Sequence, residues 1–168
     1  MSSVQRGRER KTLWYLSDRV GFMDALVNDI TTFRRRQIKS GVQPCVRLNG
    51  TSDIMYEKSG IMDQFPDVQF YDYTKIVKRA YGELPPNYHL TLSYSEADEE
   101  YAEQVLMAVA DTGANAAVVF RDRLPDTFKG FRVIDGDKDD LRFLDPMGVV
   151  VGLKAKGKAK QDTSGFVI

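Results

Sequence analysis

The chain has 168 residues but only one cysteine, Cys45, and one histidine, His89. A lone cysteine cannot form an internal disulfide, and the expected setting is reducing. Zinc is excluded as well, because His89 has no Cys or His neighbours to complete a ligand set; a satisfied structural histidine is the better reading. No apolar run nears the length of a membrane span. The basic opening MSSVQRGRERKT lacks the apolar core of a signal peptide. A cytoplasmic protein with no membrane partner is expected. There is neither a Walker loop nor a GxGxxG turn. Excess charge is missing too. Lys plus Arg number 24, and so do Asp plus Glu, so any pull on a polyanion must come from a local patch.

What is present is ordinary for a globular domain, at 42% apolar and 29% charged residues. A single domain over residues 1–168 is expected, with a basic arm (1–11), βα units (12–130) and a C-terminal β element (131–168). Ser17 is placed to cap a helix running to Ser40, with Val20, Met23, Leu26 or Val27, Ile30 and Phe33 on one face and Gly41 past its end. Residues 44–49 read as a strand, 54–64 as a weak helical segment, and 68–73 as a second strand. Thr74 can cap a short helix over 75–81, which Gly82 and Pro85-Pro86 stop. Residues 88–93 form a third strand. Ser95 is placed to cap a helix whose inner face is Tyr101, Val105, Leu106 and Val109, ended by Gly113. Residues 116–120 are apolar throughout, as in a strand covered on both faces. Residues 131–135 and 149–154 read as two shorter strands. Alternating strands and helices predict an α/β fold, either an open, mostly parallel sheet or a partial (βα) barrel.

Parallel α/β folds bind ligands at the C-terminal ends of their strands. There the sequence places Arg47, Asn49, Gly50, Thr51, Ser52 and Asp53 after the first strand. Asp72, Tyr73, Thr74 and Lys75 end the second, Ser93, Ser95 and Glu96 the third, and Arg121, Asp122 and Arg123 the fourth. The plainer reading is that Ser52, Thr74 and Ser95 merely cap helices. Clusters on one rim raise a small-molecule pocket to equal weight with it. The run DGDKDD at 135–140 is not an EF-hand, since Asp140 and Pro146 occupy the positions that need glycine and glutamate; an acidic solvent turn is the better reading than a weak magnesium site. A Ser/His/Asp triad is not supported, because His89 lies too near Ser93 and Ser95 on one strand. No metal ligands are assigned. Near the C-terminus Lys154, Lys156, Lys158 and Lys160 alternate with small residues and, as a strand, would share one face; a charged edge against aggregation is the competing account.

The strings VRLNGTSDI, FPDVQFYDYTK, LPPNYHLTLSYSE, VIDGDKDDLRFLDP and GLKAKGKAKQDTSGFV together resemble a family of uncharacterised bacteriophage and plasmid proteins related to the mycobacteriophage gene-88 products. That family in turn looks like distant radical S-adenosylmethionine (radical SAM) proteins with a partial (βα) barrel. The resemblance implies that Asn49–Asp53 stands where such enzymes bind the cofactor's methionyl group, and Ser93–Glu96 near the ribose. Longer relatives carry a cysteine-rich segment before the region matching Val4. With Cys45 alone, no Fe–S cluster and no radical chemistry are expected of this chain by itself. The barrel's first strand is expected to be missing, leaving a sheet edge covered by a helix, by the N-terminal arm or by a homodimer.

Three functions follow as expectations. The first is a cluster-less, radical SAM-like accessory protein of a phage or plasmid, acting in the host cytoplasm. It would bind S-adenosylmethionine or another nucleotide-like molecule at the rim. The second is a nucleic-acid or host-protein binder of counter-defence type, using Arg6, Arg8, Arg10, Lys154, Lys156 and Lys158. The third is an enzyme using Asp53 or Asp72 as a base.

Overall fold

The computed structural model describes residues 2–168. Seven strands form one open sheet in the order β1-β2-β3-β4-β7-β6-β5. They are β1 (Cys45–Val46), β2 (Gln69–Thr74), β3 (Tyr88–Ser93), β4 (Asn115–Phe120), β5 (Thr127–Phe128), β6 (Phe131–Asp135) and β7 (Val150–Lys154). All neighbours pair in parallel except β5 and β6, which form an antiparallel hairpin. The open sheet is therefore the form of the α/β expectation that the chain adopts, with β1 and β5 as its two edges.

Strand alternation sorts the side chains onto two unequal faces. Phe70 pairs with Tyr88, Leu92 with Ala116 and Ala116 with Val150, so these residues share one face. Two apolar clusters cover it. Ile30, Tyr56, Ile61, Met62 and Phe65 pack on Phe70, Tyr88 and Leu90. Ala102, Val105, Ala108 and Val109 pack on Leu92, Ala116, Val118 and Phe120. The opposite face carries Tyr71, Tyr73, His89, Thr91, Ser93, Ala117, Val119 and Leu153. Among the described residues, 136–147 and the C-terminal segment reach over it, and a groove is left between them at the rim.

Two helices precede the sheet: α1 (Ser3–Ser17) and α2 (Arg19–Lys39). The basic arm is thus helical, with a capping box formed by Ser2 and Gln5. Asp18, not Ser17, caps α2 through the Gly21 amide. The first strand shrinks to two ladder residues, and the 54–64 segment keeps only one 3-10 turn, Tyr56–Lys58. The 75–81 helix is a 3-10 turn, Val77–Tyr81. Asp98 caps α3 (Glu99–Thr112), while Ser95 turns its hydroxyl to the Ala97 amide. The lysine ladder is broken, because β7 ends at Lys154 and Gly157–Gln161 forms a 3-10 turn that starts from a positive φ of 56° at Gly157.

Candidate functional site

The rim is built on a buried polar network. The Asp72 side chain points into the helix-covered face and is fully buried. It accepts the Asn49 amide at 2.6 Å, the Asn49 side chain at 3.1 Å and the Tyr88 hydroxyl at 3.1 Å. Burial pushes its carboxyl up to about 6. Asn49 also accepts from Ser52 and from the Ile54 amide. The loop after β1 is thereby drawn off the ladder and pinned over the ends of β1 and β2, which is why β1 stops at Val46.

Beside it lies Arg79, whose side chain is buried. Its guanidinium donates to Asp53 at 2.6 Å, to Glu57 at 2.9 and 2.8 Å, to the Thr74 hydroxyl at 3.2 Å and to the Tyr88 hydroxyl at 2.8 Å. Burial opposes its charge, but the Glu57 bonds and nearby carboxylates outweigh that and raise its pKa. The other Asp53 oxygen accepts the Lys75 amide at 2.7 Å. Asp53 and Asp72 are therefore both engaged in holding the rim together. Nothing in the sequence around Arg79, VKRAYG, marked it as the hub.

Three adjoining clefts open on this frame. One of about 400 Å³ is lined by Arg47, residues 49–53, Tyr73, Thr74, Lys75 and Ser93. Arg47, Tyr73 and Ser93 pass into a second, of about 620 Å³, across the barer face of the sheet; Ala117, Val119 and Leu153 floor it, and Asp137, Asp140, Lys154, Lys156 and Phe166 edge it. Arg47 and residues 50–52 pass the other way into a third, of about 550 Å³, walled by Arg8, Lys11, Thr12 and Tyr15 of α1.

Arg47 stands where all three meet. Its guanidinium lies 4.5 Å above the Tyr73 ring and 3.3 Å from Asp140. Tyr73 donates its hydroxyl to Asp140 at 3.1 Å; burial and that carboxylate raise its pKa. Lys156 pairs with Asp137 at 2.8 Å, which holds that carboxyl below its usual range. Lys75 reaches over the Phe166 ring at 5.7 Å. Among the described residues Arg8, Lys11, Lys75 and Lys154 form no ion pair.

Of the residues singled out in the sequence, Arg47, Asn49, Gly50, Thr51, Ser52, Asp53, Tyr73, Lys75 and Ser93 line one cavity. Asp72 sits beneath it. Ser95 is buried against Gly165, and Glu96 lines a separate 320 Å³ cleft with Lys129. Arg8, Lys154 and Lys156 border the adjoining clefts; Arg6 and Arg10 lie elsewhere on α1, and Lys158 lies in the turn beyond Lys156. Sequence reasoning missed Phe166 and Asp140. Phe166 sits in a tail with no periodic pattern, which its bonds to β4 and to Arg121 fix in place, and Asp140 read as part of an acidic solvent turn.

Among the described residues no group of three or more His, Cys, Asp or Glu could hold a metal ion, and no helix is long and apolar enough to cross a membrane. Neither the search of curated proteins nor that of solved structures found a match. A family model described as gene product 88 matches residues 1–168. The chain, over its whole length, belongs to the gene product 88 family.

Proposed function

We propose that the protein is an accessory protein of a phage or plasmid that binds a small anionic, nucleotide-like molecule on the rim of its sheet. The observation that carries this reading is the placement of Arg47 on the face of Tyr73 at the junction of three clefts. A guanidinium offers a fork of donors to a phosphate. The rings of Tyr73 and Phe166 offer flat apolar surface to a base. Lys75 and the hydroxyls of Thr51, Ser52 and Ser93 complete a set suited to phosphate and ribose. The ion pair with Asp140 is exposed, so exchanging it for a ligand phosphate costs little.

The engagement of Asp53 by Arg79 and the burial of Asp72 favour binding over catalysis by those carboxylates. The radical SAM-like relation belongs to the same proposal. Consecutive parallel strands β1 to β4, with their connections packed on one face, are what part of a (βα) barrel would show. S-adenosylmethionine accordingly belongs in the ligand panel.

The test is thermal unfolding with ATP, AMP, S-adenosylmethionine and S-adenosylhomocysteine at millimolar concentration. A ligand at one hundred times its Kd should stabilise the fold by about 2.7 kcal/mol. The Arg47→Ala and Lys75→Ala variants should lose most of that gain. A panel in which no member raises the midpoint contradicts the proposal.

A further inference from the structure

Resting on that ligand site, we propose that the rim extends it into a track for single-stranded nucleic acid about three nucleotides long. Each of the three clefts, at about 400, 550 and 620 Å³, has the size of a small-molecule pocket. They run in series through Arg47, from α1 past the loop after β1 and the ends of β2 and β3 to the end of β7. A mononucleotide would fill one and leave two empty.

Each cleft also repeats the same pair of features. The first is lined by Arg8, Lys11 and Tyr15, the middle by Lys75 and by Arg47 over Tyr73, and the last by Lys154, Lys156 and Phe166, whose ring Lys75 also reaches. Cations spaced along a groove with interleaved rings are what single-stranded binding uses. Phosphates follow the charge, and unstacked bases lie on the aromatics regardless of sequence. A duplex keeps its bases stacked inside and cannot use these rings.

The carboxylates on the track must be counted against this. Asp53 is turned onto Arg79, and Asp139 lines the last cleft. Asp140 holds Arg47 and Tyr73, and Asp137 holds Lys156 and the Lys154 amide. Asp140 occupies the place that a phosphate would take on Arg47. Removing its charge should therefore tighten binding, a gain that misfolding cannot imitate.

The experiment is fluorescence anisotropy with a labelled 12-mer of oligo(dT), repeated with oligo(U), and competed by thymidine monophosphate, trithymidylate and a 12-bp duplex at several salt concentrations. Trithymidylate is expected to compete at least tenfold better than the monophosphate. The logarithm of its affinity should fall against log salt with a slope of about −2, as for three phosphates on a single strand. The paired changes Arg8→Ala/Lys11→Ala and Lys154→Ala/Lys156→Ala should each weaken trithymidylate severalfold, and Asp140→Asn should tighten it. Equal competition by monophosphate and trinucleotide, or a duplex that binds as well as the single strand, overturns the track and leaves the mononucleotide site standing. Failure of mononucleotides and oligonucleotides alike overturns both and leaves the rim as a surface for a protein partner.

Discussion

Arg79 and Asp72 show how single residues set the shape of the rim. Replacing Arg79 with methionine removes five hydrogen bonds and strands Glu57 and Asp53 beside an apolar core. Breaking a buried ion pair from one side costs about 3–5 kcal/mol. Urea unfolding of Arg79→Met should show a loss of that size. Asp72 acts through protons. Its pKa of about 6 in the fold exceeds the value near 4 expected when unfolded, so the folded state keeps a proton that the unfolded chain releases. Its contribution is full below about pH 4, falls as pH rises from 4 to 6, and is constant above, by about 3 kcal/mol in all. The difference in stability between wild type and Asp72→Asn should therefore shift across that window, and a difference independent of pH would refute the assignment. The sequence placed Asp72 among the ligand contacts at the end of its strand, but β2 runs on to Thr74 and the carboxylate lies buried beneath the cleft. The sequence could not reveal that the side chain points to the covered face, because its strand is buried on both sides and shows no alternation.

At the scale of elements, the β5–β6 hairpin and the C-terminal segment are the informative pieces. Lys129 and Gly130 form the two-residue turn of that hairpin with φ of 50° and 88°, a geometry that favours Asn-Gly. Lys129→Asn is expected to stabilise the protein by about 0.5 kcal/mol, since the exposed pair it forgoes with Glu96 contributes little. Thermal unfolding checks this. Gly165 has φ of 90°, and a Cβ there would lie 2.7 Å from the Ala97 amide nitrogen and 2.8 Å from the Glu96 carbonyl carbon. The backbone cannot yield as a side chain would. Gly165→Ala should release the tail that carries Phe166 into the groove, seen as faster proteolysis after residue 155 and weaker ligand binding. Such features were not legible beforehand. β5 has two residues and no pattern of its own, and the tail is held by Arg121 through the carbonyls of Lys160 and Asp162. By contrast β2, β3, β4 and α3 were legible, because their apolar runs, spacing and the glycine at 113 all agree. The N-terminal helix was overlooked because Gly7 and five charges hid a capping box at Ser2 and Gln5.

For the whole molecule, the account rests on parallel strands whose connections crowd one face and leave the other partly bare. That asymmetry gives the chain, with no net charge, a groove lined by cations, carboxylates and aromatic rings. The rim residues of the first two strands and Ser93 come to one cleft because parallel geometry brings strand ends together, while Ser95 and Glu96 of the third turn away from it. Their division among three clefts and a buried network was not legible, because it depends on Arg79 and on the path of α1. The most direct measurement is a nuclear magnetic resonance titration of ¹⁵N-labelled protein with AMP and S-adenosylmethionine, following the backbone amides. The account expects saturable shifts confined to residues 47–53, 73–75, 93 and 153–156, and to Phe166. Amides that stay still at millimolar ligand, or shifts centred on α2 and α3 away from the rim, would contradict it.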